Sequence, residues 1–122
     1  MLLTISSLSI FGQTAFQSFE VHKPCQPQGG YELLNTFIQT NLRMPFWAEA
    51  DQISGQVFVQ GIVSTDGRVS SLTSLQGLRP DCDREALRVF GPFNAWKPAE
   101  KGSQKVAQVV TQAITFKPAM PV

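Results

Sequence analysis

Few side chains in this chain of 122 residues are equipped for chemistry, and their spacing limits what they could do. Two thiols, Cys25 and Cys82, and one imidazole, His22, are its only thiol and imidazole groups. A lone histidine beside two distant cysteines has no metal-ligand spacing, so no metal site is expected. Glu85 has no partner carboxylate, and neither a Ser/His/Asp set nor a Gly-rich phosphate loop is present. No catalytic residue, cofactor or enzymatic activity is therefore expected. The cysteines leave one covalent option, a Cys25–Cys82 disulfide, should the chain reach an oxidising compartment. Cys82 reads equally well as a small buried residue, because it shares a helical face with Ala86, Val89 and Phe90.

The main chain is the other source of recognition chemistry. From Lys105 to Phe116 the run KVAQVVTQAITF alternates, with Val106, Gln108, Val110 and Gln112 on one side and Ala107, Val109, Thr111 and Ala113 on the other. After Lys105 it carries no charge and no proline, the residues that normally guard an exposed strand edge. Val106, Gln108, Val110 and Gln112 are thus the candidate edge residues, with Gln108 and Gln112 expected to face water.

Other elements must position that strand. Tyr31 to Leu42 repeats Leu34, Phe37, Ile38 and Leu42 at helical spacing and should stop ahead of Pro45. Phe46 to Gln52 reads as a short connection with room for a single helical turn, and Phe46 and Trp47 are expected beneath the first helix. Ile53 to Ser64 alternates, placing Val57, Val59 and Val63 on one face. Asp66–Gly67 then marks a tight turn, since glycine supplies positive φ without steric cost. Arg68 to Gln76 returns as the partner strand, and the three-residue spacing of Val69, Leu72 and Leu75 points to a bulge. A second helix is expected over Cys82–Phe90 with Asp81 as its N-cap, closed by Gly91 and Pro92. Trp96 should plug the core at the crossover, and Arg84 and Arg88 should line a solvated face. The fold class is α+β: helix, β-hairpin, helix, strand, with the helices packed on one face of an antiparallel sheet.

Composition narrows the class of partner. Ten Lys and Arg against nine Asp and Glu, without a basic stripe, exclude a nucleic-acid footprint. The first charged residue is Glu20, and Leu2, Leu3, Ile5, Leu8, Ile10 and Phe11 form a short apolar stretch before it. Residues 1–15 read as a secretory signal peptide, although no basic segment opens it; the alternative is an apolar N-terminal strand or helix of the fold. Residues 16–30, with Pro24, Pro27, Gly29 and Gly30, form an irregular lead-in, and residues 31–118 form the domain.

The order of landmarks carries a family resemblance. Gly55, Asp66–Gly67, Glu85–Ala86–Leu87 and Trp96–Lys97–Pro98, at these separations, resemble the C-terminal domain of TonB. GGYELLNTFIQTNLRMP is similar to the opening of energy-transducer TonB-like proteins of the Bacteroidetes type. Gly61, where a large apolar residue is usual, and Asn94, where proline is usual, depart from the pattern. The resemblance implies a periplasmic binding module that takes a peptide segment, the TonB box of an outer-membrane receptor, by β-strand addition. The membrane helix and Pro-rich arm of the energy transducer are not found here, so only the binding half of the role is expected. Its partner would be an outer-membrane TonB-dependent receptor or another envelope protein. The alternative is a structural or assembly protein that forms a homodimer or larger homo-oligomer through the same sheet edge.

Overall fold

Strict alternation in GQVFVQGIV puts Val57, Val59 and Val63 on one side of a strand, and all three are fully buried. The computed structural model, which describes residues 7–10 and 13–119 with side chains from Ala15 onward, builds the domain around that strand. Numbered in chain order, the N-terminal strands are β1 (Ser7–Ile10), β2 (Gln13–Phe16) and β3 (Gln26–Pro27). Helices α1 (Gly30–Asn41) and α2 (Phe46–Ala50) precede the hairpin β4 (Gly55–Val63) and β5 (Val69–Gln76). Helix α3 (Pro80–Phe90), β6 (Trp96–Lys97), β7 (Ala99–Lys101) and β8 (Gln104–Phe116) complete the order.

The main sheet runs β1-β2-β8-β4-β5, with β7 also paired to β8, while β3 and β6 form a separate antiparallel pair. β8 lies antiparallel to β4 from Gly55 opposite Phe116 to Val63 opposite Gln108. The sheet departs from the all-antiparallel expectation at β2, which joins β8 in parallel. Residues 1–6 and 11–12 of the expected signal segment lie outside the described residues, and its described part is strand.

Local chemistry accounts for the hairpin. Gly67 N–H donates to Ser64 O at 2.9 Å, and Asp66 Oδ1 accepts from Arg68 N–H at 3.1 Å. Gly67 has φ of +84°, the left-handed region where glycine is favoured. Between Gln60 and Ile62 of β4 the partner strand slips register, close to Ser71 at φ +55°. This is the bulge anticipated from the spacing of Val69, Leu72 and Leu75. It also accounts for Gly61, because a Cβ there would come within 2.7 Å of Val69 Cγ1 and 3.1 Å of Leu72 Cδ2.

The helices cover one face of the sheet. Leu34 and Ile38 of α1 and Cys82, Ala86, Val89 and Phe90 of α3 pack with Val57, Val59, Val63, Val110, Ile114 and Phe116. α3 begins two residues earlier than expected: Pro80 opens it and Arg79 occupies the N-cap, leaving Asp81 and Asp83 in the first turn. Proline suits this place, since the first helical N–H has no intrahelical partner to lose. Trp96 is 2% exposed, meets Phe90 and Phe93 edge-on, and donates its indole N–H to Phe93 O at 3.2 Å. Phe46 and Trp47 correct the expected burial. They are 74% and 66% exposed and stack edge-to-face on each other, because the short α2 turns only Ala48 inward.

Candidate strand-docking edge

β8 is longer than the partners that cover it. On one side β4 pairs with Gln108 to Phe116. On the other, β2 meets it only at Ala107 and Gln108, while β7 pairs with residues Gln104 to Val106 at its start. From Val109 to Phe116 the side away from β4 has no strand partner among the described residues. Eight residues at about 3.3 Å each offer roughly 26 Å of reachable main-chain donors and acceptors. No charge or proline interrupts that stretch; Lys117 and Pro118 follow it. The opposite margin of the sheet, β5, is a poorer template, since its register slips bend the ladder.

A row of shallow depressions accompanies the open edge. One of about 280 Å³ lies between Gln17, Ser18 and Tyr31 on one side and Gln108–Thr111 of β8 on the other. A second, about 230 Å³, lies between Asn35, Ile38 and Gln39 of α1 and Ala113–Thr115. A third, about 470 Å³, is bounded by Gln39, Leu42, Met44 and Thr115–Lys117. Tyr31, Asn35, Ile38/Gln39 and Leu42 recur at three- and four-residue steps, so one stripe of α1 forms the wall. Ile38 and Leu42 were legible from their helical spacing, but Asn35 and Gln39 were missed as wall residues because they look like an ordinary solvated face.

The four expected edge residues separate into two pairs. Val106 and Gln108 lie where β8 is already paired, opposite Ala99 and Phe16, whereas Val110 and Gln112 lie in the open stretch. The expectation that Gln108 faces water is corrected: it is 4% exposed. It shares strand parity with Val106, Val110 and Ile114, and the helices cover that face. Its Oε1 accepts from Cys25 N–H at 2.7 Å, which ties the lead-in to the sheet, and its Nε2 donates to Val109 O at 3.4 Å. Gln112 is half-buried and donates to Ala113 O at 3.0 Å.

Of the two readings left open for the cysteines, the structure has the buried free thiols rather than the disulfide. Cys25 and Cys82 are both free and buried in the same core cluster. Burial pushes the Cys25 thiol up to about 12, despite a backbone hydrogen bond that favours the thiolate. Burial, followed by the charge of Asp81, pushes Cys82 up to about 11. Thiols so held are poor nucleophiles. Glu85 acts in the scaffold: Arg88 binds it at 2.6 and 2.7 Å and reaches Asn41 O at 2.8 Å, joining α3 to the end of α1. Among the described residues no three His, Cys, Asp or Glu side chains gather as a metal site.

Helices on one face of a sheet whose long strand is half open define a small α+β module with an exposed β edge. The family model for the Gram-negative bacterial TonB protein C-terminal matches residues 40–118, and the chain belongs to that family. It is similar to the solution structure of the Pseudomonas aeruginosa TonB C-terminal domain at 25% identity and a TM-score of 0.51, over 66% of this chain and 81% of that one. A Helicobacter pylori TonB C-terminal domain shares the fold at 21% identity and a TM-score of 0.52, over 69% of this chain and 90% of that one. No curated protein matches the chain. TonB C-terminal domains are transport and binding modules of the bacterial envelope that interact with outer-membrane TonB-dependent receptors. No helix among the described residues is long and apolar enough to cross a membrane.

Proposed function

We propose that this chain is a periplasmic TonB-like binding module that takes a TonB-box-like segment of an outer-membrane receptor as an added strand on β8. The observation that carries this reading is the uncharged stretch Val109–Phe116, unpaired on one side and walled by α1. Main-chain pairing would supply affinity, and the depressions beside Tyr31 and Gln39 would sort alternate side chains of the guest. Val110 and Gln112 then lie in the docking stretch, with Val106 and Gln108 at its covered end. Export with removal of the N-terminal leader, residues 1–15 or only as far as Gly12, belongs to the same proposal; mass spectrometry of the protein from its native host tests it and tells which of the two cleavages occurs.

Proline scanning tests the edge. Successive strand residues point their N–H groups to opposite sides, so one of Thr111 and Gln112 donates toward β4 and the other toward the groove. Thr111→Pro and Gln112→Pro should therefore differ. One should unfold the domain, and the other should stay folded yet lose calorimetric binding of a receptor TonB-box peptide. If the folded variant binds like the parent, β8 is not the docking edge. Sedimentation of the parent decides whether a second copy takes the edge instead.

A further inference from the structure

The edge of β8 just before the open stretch already has an occupant, and it is the chain itself. β2 adds to β8 in parallel, with Ala15 opposite Ala107 and Phe16 opposite Gln108, and β1 folds back on β2. Two side chains hold this contact. Ala15 is 1% exposed and packs with Ile62, Ala107 and Val109, a small cluster separate from the main core. The Phe16 ring lies under Lys101, whose Nζ is 4.4 Å from the ring centroid. The main core draws on no residue before Val21, and the family match starts at residue 40. β2 thus lies outside both the main core and the family match, and it is seated on the strand that a peptide would use.

We propose that residues 13–16 are an in-chain ligand of the β8 edge, competing with an incoming peptide for Ala107–Val109. This rests on the strand-addition reading above and specifies the kind of segment that fits. The occupant runs parallel to β8 and places a small apolar residue against Ile62, Ala107 and Val109. The residue after it is a ring that Lys101 can cover. Pairing at two positions is a weak hold, but a tethered strand competes at a high effective concentration. A guest's apparent affinity falls in proportion to the fraction of chains whose edge is free. Leader cleavage after Gly12 keeps this ligand in the mature chain, whereas cleavage after Ala15 removes its anchor, and loss of the segment by cleavage or by displacement extends the open edge back to Ala107.

Ala15→Asp in the full chain tests the proposal. It places an unpaired carboxylate in the apolar cluster and should expel β2, leaving the main core untouched. The probe is a synthetic peptide, Gln-Thr-Ala-Phe-Gln-Ser, copying residues 13–18. It should bind the variant about tenfold or more tightly than the parent, the ratio expected when nine-tenths of parent edges are occupied. The same peptide with Asp in place of Ala should not bind. Without peptide, hydrogen exchange at Ala107–Val109 should be faster in the variant, and the peptide should slow it again. Circular dichroism confirms folding, and Ala15→Lys replaces the variant should the aspartate disturb it.

Equal affinity for both chains would overturn the in-chain ligand while leaving strand addition standing. If neither chain takes this peptide or a TonB-box peptide, strand addition falls. Exchange at Ala107–Val109 then decides whether the in-chain contact exists, and unchanged exchange overturns it.

Discussion

Replacing Gly67 with alanine tests how the hairpin is locked to the crossover that leads into β8. Gly67 has φ +84°, and its carbonyl accepts from Trp96 N–H at 3.3 Å. A Cβ built there would lie nearer to the Trp96 carbonyl oxygen than the 3.0 Å that real Cβ atoms respect, and that neighbour is backbone. Two costs combine. A non-glycine residue in the left-handed region loses about 1–2 kcal/mol. Forcing a methyl group against a packed segment adds about 1–3 kcal/mol. Gly67→Ala should therefore destabilise the domain by about 2–5 kcal/mol.

Gly102, in the turn between β7 and β8, is the internal control. Its φ is +66°, and a Cβ there would meet nothing within 4 Å. Gly102→Ala should lose only the conformational share, about 1–2 kcal/mol. At about 4 °C per kcal/mol for a domain of this size, the two variants should melt at least about 4 °C apart. Urea and thermal unfolding followed by circular dichroism provide the measurement, and peptide titration should show affinity falling only with the folded fraction. Equal losses in the two variants would refute the Trp96 contact. Lost binding without lost stability would refute the structural role of the turn.

Gln108→Ala should cost about 1–3 kcal/mol in urea unfolding, because it leaves the Cys25 N–H buried without its 2.7 Å acceptor, whereas Gln112→Ala should cost less than about 0.5 kcal/mol. Cys25 and Cys82, pushed up to about 12 and about 11, should resist iodoacetamide at pH 8 in the folded protein and react fully in guanidinium; a native mass short of two hydrogens would reveal a disulfide instead. Burial raises the Glu85 carboxyl, but the Arg88 and Arg43 hydrogen bonds outweigh it and hold it below its ordinary value. A lowered folded pKa stabilises above the unfolded value, about 4.3, so this contribution should fade as pH drops through and below 4.3, and less so in Arg88→Met, as read from urea midpoints across pH.

Short-range rules account for what was legible in the chain. The alternation that buries Val57, Val59 and Val63, the Asp66–Gly67 turn and the Leu34–Ile38 stripe each depend on residues a few positions apart. The uneven spacing in β5 likewise announced its bulge, whereas the side chains that fill the space beside Gly61 were seen only in the structure. The ordered landmarks from Gly55 to Pro98 sufficed for the family, because those local signals occur in a fixed sequence.

What only the tertiary structure decided depends on partners far along the chain. Alternation placed Gln108 on the same side as Val106 and Val110, yet its polarity argued for water. An acceptor demand from Cys25, 83 residues away, is what makes its burial tolerable. Phe46 and Trp47 are apolar, but a helix of five residues can turn only Ala48 to the core. Strand neighbours were beyond local reading altogether. Whether β8 has one free side or none depends on where β2 and β7 dock, and side-chain periodicity carries no information about the occupant of a main-chain edge.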